Sequence, residues 1–257
     1  MSNTALVTGA SSGIGTELAR YHASKGGDLV LVARRESILE NLKSELESSH
    51  NIKVTVIPAD LAKSDSANTI YKATKETGIE IDILINNAGF GGHGKFYQRN
   101  LTKDQEMMQV NMVSLVNLTY LYLQDMVNRN SGKILHVAST AGFIPGPLQA
   151  VYFATKSFVV SFSQAIAQEL SDTNITSTAL CPGMVATDFV KAADLEGIAA
   201  WKNAATPDSV AKCGYDAMMK GDLIAINQRS LKFMLNWIVP FLPRKTILKI
   251  SQKFMEK

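Results

Sequence analysis

The 257 residues predict an α/β chain built on a single doubly wound parallel sheet. Three observations carry that prediction. Short β-branched runs alternate with longer stretches of helical period. Several of these runs are apolar nearly throughout, as strands covered on both faces must be. A glycine-rich turn follows the first run and opens the first helical stretch. The predicted strands are 5–8 (ALVT), 28–33 (DLVLVA), 53–58 (KVTVIP), 81–86 (IDILIN), 133–138 (KILHVA), 176–181 (TSTALC) and 222–226 (DLIAI). Between them, 16–25, 36–49, 64–77, 102–128, 152–170 and 207–220 are each long enough to cross over between parallel strands.

With 46% hydrophobic residues, the chain can bury a sizeable core, and no repeat, low-complexity tract or linker divides it. Residues 1–229 are expected to form the folded unit and 230–257 a helical extension of it. The net charge of +3 is spread along the chain apart from one basic stretch at the C-terminal end, which argues against nucleic-acid binding. Cys181 and Cys213 form neither a metal pattern nor a disulfide framework, which fits a reducing compartment. His22, His50, His93 and His136 share no ligand spacing, so no metal site is expected. The chain runs directly into TALVT without a signal-peptide pattern, and a cytoplasmic location is the expectation.

Gly9, Gly13 and Gly15 sit where a strand meets a helix N-terminus, so backbone N–H groups and the helix dipole can hold a pyrophosphate there. Their spacing, G-x-x-x-G-x-G, departs from the commoner G-x-G-x-x-G. An acid past the second strand would take the 2′-hydroxyl of NAD, whereas an arginine suits the 2′-phosphate of NADP. Here the strand ends in VARRES, and Arg34 and Arg35 favour NADP because guanidinium pairs bidentately with phosphate. Tyr152 and Lys156, in YFATK, lie one helical turn apart on one face. An ammonium beside the phenol is expected to lower its pKa and make Tyr152 a general acid or base. Ser139 closes the fifth strand at the edge where ligands bind in this architecture.

TGASSGIG (8–15), NNAG (86–89), Asn111, Ser139, YFATK (152–156) and PGMVAT (182–187) occur together in one order. With these motifs the chain resembles the short-chain dehydrogenase/reductase superfamily over essentially its whole length. The resemblance implies a Rossmann-type fold of seven strands and hydride transfer between NAD(P)H and a carbonyl or alcohol. It assigns Tyr152 as acid/base, Lys156 as the residue that tunes it and holds the nicotinamide ribose, Ser139 as orienter of the substrate oxygen, and Asn111 as holder of a relay water. It also implies cofactor contacts from Gly9, Ser11, Ser12, Gly13, Ile14 and Gly15. Further contacts are implied from Asp60 and Leu61 near the adenine, from Asn87, Ala88 and Gly89 near the adenosine ribose, and from Pro182, Gly183, Val185 and Thr187 near the nicotinamide. Homodimers or homotetramers are usual in that superfamily.

The segments 140–148 and 188–206 line the substrate pocket in that superfamily and are apolar here, which favours a hydrophobic ketone, alcohol or acyl-type substrate. A catalytically idle NADP-binding sensor or scaffold is the alternative, which would need the glycines and arginines but not the proton-transfer set. In the last segment Ile247, Ile250 and Phe254 recur at helical spacing, with Lys245, Lys249 and Lys253 on another face. Such a helix suits an anionic membrane surface, a partner subunit, or a lid over the pocket. The longest apolar stretch there falls well short of a membrane span.

Overall fold

The computed structural model describes residues 3–198, 201 and 204–257. Its strands are β1 (Thr4–Thr8), β2 (Asp28–Ala33), β3 (Val54–Pro58), β4 (Ile83–Asn86), β5 (Gly132–Val137), β6 (Ile175–Leu180) and β7 (Ile224–Ala225). All pair in parallel, in the order β3-β2-β1-β4-β5-β6-β7. The order reverses between β1 and β4, and that switch opens a crevice beyond their C-terminal ends.

Alternate residues of each strand serve opposite layers, as the two-residue side-chain period requires. Val7, Leu31 and Ile85 pack toward α1 (Gly13–Ala23), α2 (Glu36–His50) and α8 (Pro207–Lys220). Leu6, Val30 and Leu84 pack toward α3 (Ser66–Glu76) and α5 (Leu115–Asn128). The expected helix 102–128 is divided: α4 (Leu101–Met108) and α5 are joined by a π-turn, Gln109–Ser114. Apolar periodicity does not register one extra residue in a turn, which is why this break was invisible. The expected seventh strand, 222–226, pairs over two residues only.

The catalytic candidates are carried by α6 (Ala150–Glu169), and α7 (Phe189–Ala192) follows β6. In the expected pocket segment 188–206, residues 199, 200, 202 and 203 lie outside the described ones. The C-terminal extension comprises α9 (Arg229–Phe233), a π-turn Met234–Ile238, a 3-10 turn Val239–Phe241 and α10 (Arg244–Met255). Pro243 marks the break before α10. Of the placements open from sequence, the structure puts the inner side of this extension over the crevice of its own chain. Leu235 and Ser251 are buried there, and the His93 ring meets the Met255 carbonyl at 2.7 Å.

The crevice wall is fastened by a buried ion pair. Arg99 Nη2 lies 2.5 Å from Asp104 Oδ1, and Arg99 Nη1 donates to the His93 carbonyl at 2.9 Å. Asp104 is 1% exposed. Removing one partner strands the other charge, so Asp104→Ala should lower stability by about 3–5 kcal/mol in urea unfolding.

His136 lies wholly within β5, and burial holds its imidazole down at about 3, against an ordinary value of 6.5. The folded chain therefore keeps the ring neutral where the unfolded chain protonates it. Stability present above pH 6.5 is lost as pH falls from 6.5 toward 3. Buried His22 is shifted in the same direction, also by desolvation. Thermal melts across this interval should show Tm falling steadily, and His136→Phe should flatten the slope.

Candidate active site

The site begins with the turn after β1. Gly9 and Gly13 have φ of +68° and +58°, the left-handed region that glycine enters without strain. A Cβ on Gly9 would stand 2.9 Å from the Ala88 Cα, so the close approach of this turn to the end of β4 also demands glycine. Thr8 Oγ1 accepts from the N–H groups of Asn87 and Ala88, each at 3.0 Å, and Asn87 Nδ2 donates to the Thr8 carbonyl at 2.8 Å. The Asn87 side chain is thus a clasp between β1 and β4.

Helix α1 starts without a side-chain cap and with no acid in its first turn, and Ser12, Gly13 and Ile14 line the cleft. First-turn N–H groups without a side-chain cap are a natural anion site, and they fit the pyrophosphate of a dinucleotide. Gly15 stands behind them against Asn87. Arg34 and Arg35 are exposed at the end of β2 and border the same cleft. The Arg35 guanidinium folds onto Ser11, donating to its carbonyl at 2.9 Å and to its hydroxyl at 3.1 Å. Asp60 and Leu61 follow on the next wall, where Asp60 Oδ1 accepts from the Ala62 N–H at 3.1 Å.

Beyond the sheet switch lie the groups suited to proton transfer. Ser139, at the end of β5, accepts from the Ala141 N–H at 3.1 Å through its hydroxyl oxygen. Lys156 Nζ donates to the Val137 carbonyl at 2.8 Å and lies 5.8 Å from the centroid of the Tyr152 ring. Asn111, placed by the π-turn, accepts from the Phe90 N–H at 3.1 Å. It donates to the Phe90 carbonyl at 3.0 Å and to Thr155 Oγ1 at 3.1 Å. It therefore ties the loop after β4 to α6 from behind the cleft wall. A Cβ on Gly89 would meet Asn111 Oδ1 at 3.0 Å and Lys156 Nζ at 3.4 Å, so no side chain intervenes between these groups.

Burial pushes the Tyr152 phenol up to about 12, with the Ser139 hydroxyl pulling the other way. Burial lowers Lys156 to about 8. Burial outweighs the depression of the phenol expected from Lys156, whose Nζ donates to the Val137 carbonyl. The phenol holds its proton at neutral pH, which is the form that can donate.

The segment after β6 closes the far wall. The Pro182 carbonyl accepts from the Thr140 N–H at 2.9 Å, Gly183 donates to Asn227 Oδ1 at 3.2 Å, and Val185 bridges to Ala205. Thr187 accepts from the Phe189 N–H at 3.3 Å through Oγ1, and its Cγ2 would lie 3.0 Å from a Cβ on Gly13. Together these elements enclose a continuous cleft of about 1460 Å³.

Phe189, in the expected pocket segment, sets its ring 5.3 Å from that of Tyr152, and a Cβ on Gly91 would lie 2.7 Å from that ring. Sequence reasoning missed several other cleft residues. Gln149 precedes α6 with a buried amide nitrogen that has no partner. Leu235, Ile238 and Phe254 reach the cleft from the C-terminal extension. Helical spacing signalled that extension's apolar face, but nothing local named what the face covers.

A family model described as short chain dehydrogenase matches residues 3–196. The chain is 30% identical over 251 residues to the very-long-chain 3-oxoacyl-CoA reductase of Macaca fascicularis, covering 96% of this chain and 78% of that protein. It is 31% identical over 235 residues to the ketoacyl reductase HetN of Nostoc, covering 89% and 79%. A short-chain dehydrogenase from Sphingobium yanoikuyae in complex with NADPH superposes with a TM-score of 0.83 at 28% identity, over 94% of this chain and 97% of that one. The family model spans most of the described chain, and the chain belongs to the short-chain dehydrogenase/reductase family of oxidoreductases.

Proposed function

We propose that this protein is an NADP(H)-dependent oxidoreductase that interconverts a carbonyl and an alcohol on an apolar ketone or acyl-type substrate. One observation carries the reading: the first turn of α1, Arg34 and the Ser139, Tyr152 and Lys156 group all open into a single cleft. A binding-only protein needs the first two features and has no use for a protonated phenol beside a serine hydroxyl.

When bound, the nicotinamide cofactor supplies the hydride. The chain's own residues do the rest. In the reducing direction Ser139 donates a hydrogen bond to the substrate oxygen and fixes its place beside Tyr152. As negative charge develops on that oxygen, Tyr152 gives up its proton to it, and the product is an alcohol. Lys156, 5.8 Å from the ring, stabilises the resulting phenolate more strongly than the neutral phenol. Reprotonation of Tyr152 completes the cycle. In oxidation the same groups act in reverse, with Tyr152 as base.

Arg35 is engaged with Ser11, so Arg34 is the guanidinium assigned to the 2′-phosphate of NADP. The NADPH complex of the Sphingobium relative supports that assignment. The substrate class rests on the lining: Phe189, Leu235, Ile238, Val239 and Phe254 present apolar walls. Two of the relatives are named as reductases of oxoacyl or ketoacyl groups.

Titration followed by nicotinamide fluorescence should show NADPH binding more tightly than NADH, and Arg34→Ala should erase most of the difference. Equal affinities in the unaltered protein would overturn the NADP assignment. Tyr152→Phe should retain cofactor binding and lose about 10²–10⁴-fold in kcat on an apolar ketone. Turnover unchanged by that substitution would remove Tyr152 from the chemistry. Gly9→Ala should weaken cofactor binding at least tenfold, because the added methyl displaces the end of β4 from the turn.

A further inference from the structure

We infer that the outer side of the C-terminal segment, residues 229–257, is a docking surface for an anionic lipid bilayer. The inner side of this segment roofs the cleft, but its outer side leaves large apolar groups in water. Phe233, Trp237 and Phe241, each four residues after the last, are 60%, 67% and 80% exposed. Leu248 of α10 is also exposed. Isolated apolar side chains on a surface need no explanation, whereas several in one short segment mark a contact.

Charge says what kind of contact. The segment holds seven of the chain's 26 Lys and Arg but only one of its 23 Asp and Glu. The segment is therefore +6, and the rest of the chain is net −3. All seven cations are exposed. Aromatic and aliphatic groups fringed by Lys and Arg are the composition of helices that lie in the headgroup region of anionic membranes. A second copy fits poorly, because a two-fold contact sets the same patch against itself and would oppose +6 with +6. Among the described residues no helix is long and apolar enough to cross a membrane, so the segment lies on the bilayer rather than through it.

The full chain is sedimented with vesicles of phosphatidylcholine alone and of phosphatidylcholine mixed with phosphatidylglycerol, at low and high salt. The expected result is partition onto the anionic vesicles only, falling as salt rises. Trp237→Ser with Phe241→Ser, and separately Lys245→Gln, Lys249→Gln and Lys253→Gln together, should each lower that partition at least tenfold. None of these residues lines the cleft, so NADPH binding should stay as it was; this readout also separates failure of docking from failure of the enzymatic reading. Absence of the unaltered protein from the anionic vesicles would overturn the proposal. So would variants that bind vesicles as well as the unaltered chain. A vesicle-free assembly that dissociates in the Trp237→Ser, Phe241→Ser variant would assign the patch to a second copy instead.

Discussion

The site depends on the clasp between the ends of β1 and β4. Parallel strands that are neighbours in a sheet but distant in sequence diverge beyond their last hydrogen bond, and their loops turn to opposite faces at the switch. Thr8 counters this with one hydroxyl oxygen that accepts two backbone N–H groups from the loop after β4. Asn87 returns a bond to the Thr8 carbonyl. Gly9 and Gly15 are the complement of that clasp, since a side chain at either would force the two loops apart. The glycine turn, the start of α1 and the loop leading to Asn111 are all placed by this junction.

The second constraint is electrostatic. Lys156 and Tyr152 are both removed from water, and burial favours the neutral form of each. The result is a phenol that keeps its proton and an ammonium that is easier to discharge than a surface lysine. The Val137 carbonyl keeps the lysine's direction fixed. Asn111 acts on the same assembly through Thr155 and Phe90, which explains why a helix interior tolerates a π-turn at that point.

The sheet was legible because each of its strands is a short apolar run, and the helices that cover it have ordinary amphipathic spacing. All seven strand predictions lie within two residues of the observed ends, and the seventh is overlong because a two-residue edge strand has almost no periodicity to read. The glycine turn and the Tyr152 to Lys156 spacing were legible because their geometry is local. What escaped was non-local. The tie between Arg35 and Ser11 and the contact of Phe189 with Tyr152 each join parts of the chain that no window of sequence contains together, and the same is true of the choice among the placements open to residues 229–257. The direction of the Tyr152 shift escaped for the same reason, since burial is a property of the whole fold.

The roof of the cleft is held to the rest of the fold through few core contacts. Ser251 is the one buried residue of α10, and its hydroxyl has no partner, whereas the strands beneath are buried on both faces. Segments with so few core contacts open at a free energy far below that of global unfolding. The amides of α10 would then exchange with solvent long before those of β1 or β4. If a ligand must pass beneath this helix, traffic into and out of the cleft is a local unfolding event, and the lifetime of the closed roof sets a ceiling on turnover.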